Sequence, residues 1–262
     1  MKGEYLGMSA AATLRRQIES ALEARIPSAL TPKSRPAEEC VSCGLEQIDR
    51  LGVFRRGNVV EICGSFSSGR TTLFHGLLSR CTSGGEVAAI IDVTDSFDPV
   101  SASRLGVALS EVLWVRCGAA RSQGRVLSAV EQALAAADLL LHSGGFGLIV
   151  LDLANIPMKD ARQIPLTVWF KFRRAVEATR TLFVVLAQQS NAGSTSAGTL
   201  DVFQAGIEVE ESARPSTADH LEGGCLIRTL RSRAEVLRGQ MRKPVGSVLV
   251  EGQFSTSLYG FC

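Results

Sequence analysis

Nine consecutive residues, Gly64-Ser65-Phe66-Ser67-Ser68-Gly69-Arg70-Thr71-Thr72, have the types and spacing of a loop that holds phosphate. Gly64 and Gly69 let the backbone curl until successive N–H groups converge on an anion. Arg70 adds a cation, and Thr71 stands where a hydroxyl would ligate Mg2+. The lysine usual before that hydroxyl is here an arginine, which grips phosphate as a planar fork and not as a compact point charge. Phosphate binding survives such a change more readily than transition-state geometry does. A second acid fits the same chemistry. Asp152 closes the apolar run Gly147-Leu148-Ile149-Val150-Leu151, a position from which a carboxylate holds Mg2+ through water opposite Thr71. Alone, Asp152 is equally a strand-terminal turn residue; paired with the loop it points to a nucleotide site.

The elements that must position these groups follow from the apolar pattern. Val59 to Cys63 reads as a buried strand entering the loop, and the residues after Arg70 read as a helix whose N-terminus adds partial positive charge. Further strands are expected at 86–92, 112–115, 147–152 and 182–186, with helices from Pro99, around 168–179, and along Val126, Val130, Leu134, Ala137 and Leu141. Continuous apolar strands alternating with helices predict an α/β fold with a mostly parallel central sheet flanked by helices. Ligands in such sheets bind beyond the strand carboxyl ends, where Gly64, Asp92, Asp152 and Gln188 fall. A Ser/Gly/Ala-rich loop spans 189–198. The tail from Gly206 reads as β-hairpins punctuated by Gly223-Gly224 and Gly246.

At the front, Ser9 caps an expected amphipathic helix with Leu14, Ile18, Leu22 and Ile26 on one stripe, followed by a linker from Pro27 to Pro36. The stripe can cover the chain's own core or dock a neighbour or partner. The organisation expected is 1–36 as helix and linker and 37–262 as the core. Lys+Arg total 28 against Asp+Glu 26, a net charge of +2, so nucleic-acid contact would need a local patch. Seven scattered cysteines suit reduced thiols, and the single Cys40-Val41-Ser42-Cys43 pair lacks a partner pair or spaced histidines. No leader or membrane span is expected, and the expected location is cytoplasmic.

Several separated motifs resemble the RecA recombinase core in that family's order: Val41 to Asp49, Arg56 to Leu73, and Ile91-Asp92-Val93-Thr94-Asp95-Ser96-Phe97-Asp98-Pro99 with Arg104 to Val107. The resemblance implies a RecA-like P-loop core binding ATP and Mg2+, with an N-terminal helix and C-terminal β-hairpins. It also implies roles for single residues. Thr94 stands at the catalytic glutamate position, Gln188 matches the γ-phosphate sensor, and Asp98 matches a residue beside the adenine. Arg231 and Arg233 match paired lysines that reach a neighbour's nucleotide or DNA. The DNA-binding loops would lie at 156–165 and 189–205, with Lys159 and Arg162 their only basic residues. Degenerate catalytic residues, altered loops and no separate C-terminal domain make the chain similar to ImuA. That family is an accessory in SOS-linked translesion synthesis that works with a Y-family polymerase-like partner and an error-prone C-family polymerase. A degenerate P-loop ATPase with very slow or no hydrolysis follows from that resemblance. Two alternatives stand beside it: an ATP-dependent RecA-type recombinase on single-stranded DNA, and a RecA-fold regulator acting through protein contacts, RecA itself among them. Self-association is compatible with each.

Overall fold

The computed structural model describes residues 39–118, 120–122, 125–177, 179–211, 225–238 and 247–253. All belong to the unit Glu39–Cys262. The expected N-terminal helix with its stripe and linker lies outside the described residues.

Eight strands form one sheet: β1 (Val59–Gly64), β2 (Ala88–Asp92), β3 (Val112–Arg116), β6 (Leu148–Asp152), β7 (Leu182–Ala187), β8 (Gly198–Glu211), β9 (Cys225–Arg238) and β10 (Ser247–Gln253). Their order is β10-β9-β8-β1-β7-β6-β2-β3. The six strands from β8 to β3 are parallel, and β9 and β10 join antiparallel. The mostly parallel α/β fold expected from the apolar runs is what forms. β1, β2 and β7 are buried at every position, as strands covered on both faces must be.

Two apolar layers sandwich the sheet. On one face Ile62, Ile90, Val150, Val184 and Leu200 pack with Leu73, Phe74 and Leu77 of α2 (Arg70–Ser83). Short helices α1 (Glu46–Asp49) and α3 (Pro99–Arg104) precede and follow on the chain. On the other face Ile91, Leu151, Phe183 and Val185 meet Ala133, Ala137 and Leu141 of α4 (Ala129–Ser143) and Trp169, Phe172 and Val176 of α6 (Leu166–Val176). The short α5 (Met158–Arg162) lies between β6 and α6 in sequence.

Two expectations need correction. Val126 is not on the helix stripe: it lies on β5 (Arg125–Leu127), which pairs with β4 (Ala120–Ser122) as a small hairpin. The helix begins after it because Ser128 closes a capping box, its Oγ accepting from the Glu131 N–H at 3.2 Å while the Glu131 carboxyl accepts from the Ser128 N–H at 2.9 Å. Replacing Ser128 by alanine is expected to cost about 1 kcal/mol, read as a lowered urea midpoint with unchanged slope. The second correction concerns the tail. β8 starts at Gly198, before the expected hairpin, and runs parallel to β1 before turning back into β9.

Candidate nucleotide site

The loop between β1 and α2 is shaped for close approach. A Cβ on Gly64 would lie 2.5 Å from both Ser68 Oγ and the Val202 carbonyl, so no larger residue fits. Ser67 and Gly69 take positive φ, 61° and 99°, the backbone state that turns successive N–H groups inward. Gly69 also faces Ser232 of β9, whose Oγ would stand 2.8 Å from an added Cβ. α2 starts at Arg70 with no side chain capping its N-terminus. Ser68 is 1% exposed and its Oγ has no hydrogen-bond partner. A buried hydroxyl left unsatisfied is costly, and here it sits in the curl of the loop. Ser65, Phe66, Thr71 and Thr72 are exposed around it.

Arg70 is 5% exposed. Its Nη1 donates to the Gly64 carbonyl and, at 2.8 Å, to the Ala187 carbonyl, tying the carboxyl ends of β1 and β7 together. Burial lowers its pKa, and the charge of Asp152 acts against that loss. Asp152 ends β6 and accepts from the Ala154 N–H at 2.9 Å. Burial raises the Asp152 carboxyl above the usual carboxylate range and the neighbouring Asp92 adds to this, while Arg70 and Ser96 oppose it. A carboxyl in this condition gains from an added cation.

Asp92 and Asp152 are register partners on β2 and β6. Asp92 is wholly buried and serves the turn after β2: its oxygens accept from the backbone N–H groups of Thr94 (3.3 Å), Ser96 (3.1 Å) and Phe97 (2.9 Å) and from Trp114 Nε1 (3.2 Å). Thr94 is exposed on this turn, its Oγ1 donating to Ser96 Oγ at 3.3 Å. The adjacent carboxylate does not take its place. Asp95, at φ 57°, is gripped by Arg116 through Nε at 2.7 Å and through Nη2. Arg116 in turn lies 4.8 Å over the Trp114 ring. That pairing holds Asp95 below the usual carboxylate range. Asp98 caps α3, accepting from the Val100 N–H at 3.0 Å and from the Ser101 hydroxyl, which lowers its pKa. His75 packs beside Phe74 and Phe97, and burial lowers its imidazole pKa.

Gln188 follows β7 and donates from Nε2 to the carbonyls of Ala154 (3.0 Å) and Ile156 (3.5 Å). Next to it, Gln189 accepts from Arg162 at 2.9 Å, so the two loops expected to meet DNA are joined to each other. Leu153, Ile156, Met158, Ala161, Asn191 and these glutamines line a small cleft between them.

One residue of the site region escaped the sequence reading. Glu61, in the middle of β1, is fully buried. Its carboxyl accepts from Ser190 Oγ (2.7 Å), the N–H groups of Asn191 (2.6 Å) and Ala192 (2.9 Å), and Thr199 Oγ1 (3.4 Å). An acid inside an otherwise apolar strand is a visible signal, because burial demands partners. The partners themselves are 129 to 138 positions away and invisible to periodicity.

On β9, Ala234 and Val236 are buried against the α2 face, while Arg233 is exposed and pairs with Glu235 at 3.1 Å. Strand alternation puts Arg233 on the opposite face from Ser232, which adjoins the loop. The Arg231 side chain lies outside the described residues. Cys43 is buried with its thiol pushed up to about 12, and its N–H is held by Asp49 at 2.8 Å. Among the described residues no group of three or more His, Cys, Asp or Glu could hold a metal, and no helix is long and apolar enough to cross a membrane.

The same segments carry the relationship to known proteins. The family described as RecA N-terminal domain matches residues 24–161, just over half of the chain. Among curated relatives, protein RecA of Borrelia turicatae (strain 91E135) is 40% identical over 117 residues, covering 44% of this chain and 30% of that protein. The matched stretch spans under a third of the relative's length. With the loop 64–72, strands β1, β2, β3 and β6 and the turn after β2 inside the matched residues, the chain belongs to the RecA N-terminal domain family.

Proposed function

We propose that this chain is a RecA-like nucleotide-binding accessory of the DNA-damage response, of the ImuA kind, that binds adenine nucleotide with little or no hydrolysis. The observation that carries the reading is the turn after β2, where Asp95 is locked to Arg116 beside Thr94, the residue that the resemblance sets at the catalytic glutamate position. The loop 64–72 would hold the phosphates through its backbone N–H groups, with Ser68 Oγ inside the curl. Mg2+ would be held by Thr71 and, through water, by Asp152, where it would offset a carboxyl that burial disfavours as an anion. Bound Mg2+ would neutralise charge on the phosphates. Asp98 would lie toward the base.

A nucleotide site without a base works as a conformational ligand pocket, and the output then lies in contacts with other proteins. The Leu14, Ile18, Leu22 and Ile26 stripe is the proposed docking element, for a second copy or for polymerase partners. Each such side chain contributes ~1.5–3 kcal/mol when buried, so four suffice to sustain association. Binding of the full chain to a Y-family polymerase-like protein, an error-prone C-family polymerase and RecA tests this directly. A truncation starting at Pro27 is expected to lose partner binding and self-association. A truncation retaining both would refute the docking role.

A strand-exchange reading draws on a separate observation. Arg233 faces away from its own phosphate loop, as a residue reaching a neighbour's nucleotide would. Under that reading, neutralising Arg231 and Arg233 abolishes single-stranded DNA binding, whose affinity should fall with salt at a log–log slope of roughly −0.7 per phosphate contact.

A further inference from the structure

The loop and the groups beyond it differ in how far their hydrogen-bonding capacity is already used. Inside the loop the capacity is open: Ser68 Oγ is buried without a partner, and the N-terminus of the 14-residue α2 has no side-chain cap. Beyond the loop, over the carboxyl ends of β2, β6 and β7, side-chain donors are engaged within the chain. Three side chains there could meet a third phosphate. Arg70 is turned onto the Gly64 and Ala187 carbonyls. Gln188 directs its amide at the carbonyls of Ala154 and Ile156. Thr94 donates its hydroxyl to Ser96.

Electrostatics act in the same sense. Asp92 and Asp152 end neighbouring strands in register, and Arg70 is buried at the ends of β1 and β7. A third phosphate would bring further negative charge to this place. To turn Nη1 onto it, Arg70 would have to give up its hydrogen bonds to the Gly64 and Ala187 carbonyls. A buried acceptor stripped of its donor is penalised in full. The two phosphates nearest the helix carry no such requirement, since converging N–H groups and the helix N-terminus serve them.

We propose that this loop is selective for a nucleoside diphosphate over the triphosphate, with Arg70 as the specificity-determining residue. The proposal rests on the reading that the loop binds nucleotide. In it, Arg70 is a strut of the site that excludes the third phosphate, in place of the phosphate-following cation a lysine would provide. Lysine at this position has one ammonium at the end of a flexible stem and no planar fork, so it is freer to leave the carbonyls for a phosphate.

Equilibrium dialysis of the full chain with labelled ADP and labelled ATP, each with Mg2+, tests this. Wild type is expected to bind ADP tighter than ATP by about tenfold, a difference of one decade in Kd. In Arg70→Lys, verified as folded by circular dichroism, that preference is expected to disappear. Wild type binding ATP as tightly as ADP or tighter overturns the proposal while leaving the nucleotide site in place. A folded Arg70→Lys that keeps the full ADP preference overturns the role given to Arg70. Binding of neither nucleotide defeats the nucleotide reading itself. The wild-type ratio decides the selectivity even if the variant does not fold.

Discussion

Replacing Glu61 by alanine is expected to destabilise the core more than any change in the exposed loops. The substitution leaves the N–H groups of Asn191 and Ala192 without the buried carboxyl that accepts from them, together with the hydroxyls of Ser190 and Thr199. Each backbone donor so stranded costs about 1–3 kcal/mol, on top of the lost packing. Glu61→Gln keeps the volume but turns an NH2 toward donors, so an intermediate loss is expected. Urea midpoints of the two variants check the ranking. A Glu61→Ala chain within about 0.5 kcal/mol of wild type, the range of neutral surface changes, would show that the loop is not held by this carboxyl. The segment 188–192 follows β7 and precedes β8, so Glu61 also ties β1 to the loop bearing Gln188 and Gln189. Protection of amides 190–192 from hydrogen exchange should fall in both variants before global stability is exhausted.

ATP turnover is the second expected large effect. Transfer of a phosphoryl group to water needs the water placed and its proton accepted. Thr94 offers a hydroxyl already donated to Ser96, and Asp95 is held by two hydrogen bonds from Arg116. Loss of general-base assistance alone lowers a rate by about 10²–10⁴. Arg70 adds to this by bonding to carbonyls at the strand ends, where it does not follow charge to the transition state. Thr94→Glu is expected to raise turnover above wild type, and more so when combined with Arg70→Lys, because both deficits are then repaired. If Thr94→Glu, shown to bind nucleotide, hydrolyses no faster than wild type, the missing carboxylate is not what limits the reaction.

The parallel sheet was legible because its strands are continuous apolar runs, and these have few other uses in a chain of this composition. The curl of the loop 64–69 was legible for a related reason: glycine at 64 is demanded by the close Val202 carbonyl, and glycine at 69 suits a φ of 99°. Less legible was anything set by side-chain direction. Arg70 is one residue from Thr71, yet it points back to the strand ends, onto the Gly64 and Ala187 carbonyls. Val126 fits a helical stripe by spacing, and the capping box at Ser128 overrides it. β8 was read eight residues late, since Gly198 and Thr199 look like loop residues; Thr199 is buried beside β1, where its hydroxyl donates to the Glu61 carboxyl. Long-range partners such as Glu61 and Ala192 leave no periodic trace.

The central claim is that this family member keeps the nucleotide site and lacks its chemistry. Single-turnover hydrolysis of γ-labelled ATP, with protein in excess at a concentration that binds all the nucleotide and with saturating single-stranded DNA, measures the chemical step apart from binding. The account predicts ATP recovered intact from the bound fraction over many minutes, with release of phosphate at least about 10²-fold slower than in an active RecA assayed alongside. Phosphate release at the rate of that active RecA would contradict it and make the chain a strand-exchange ATPase.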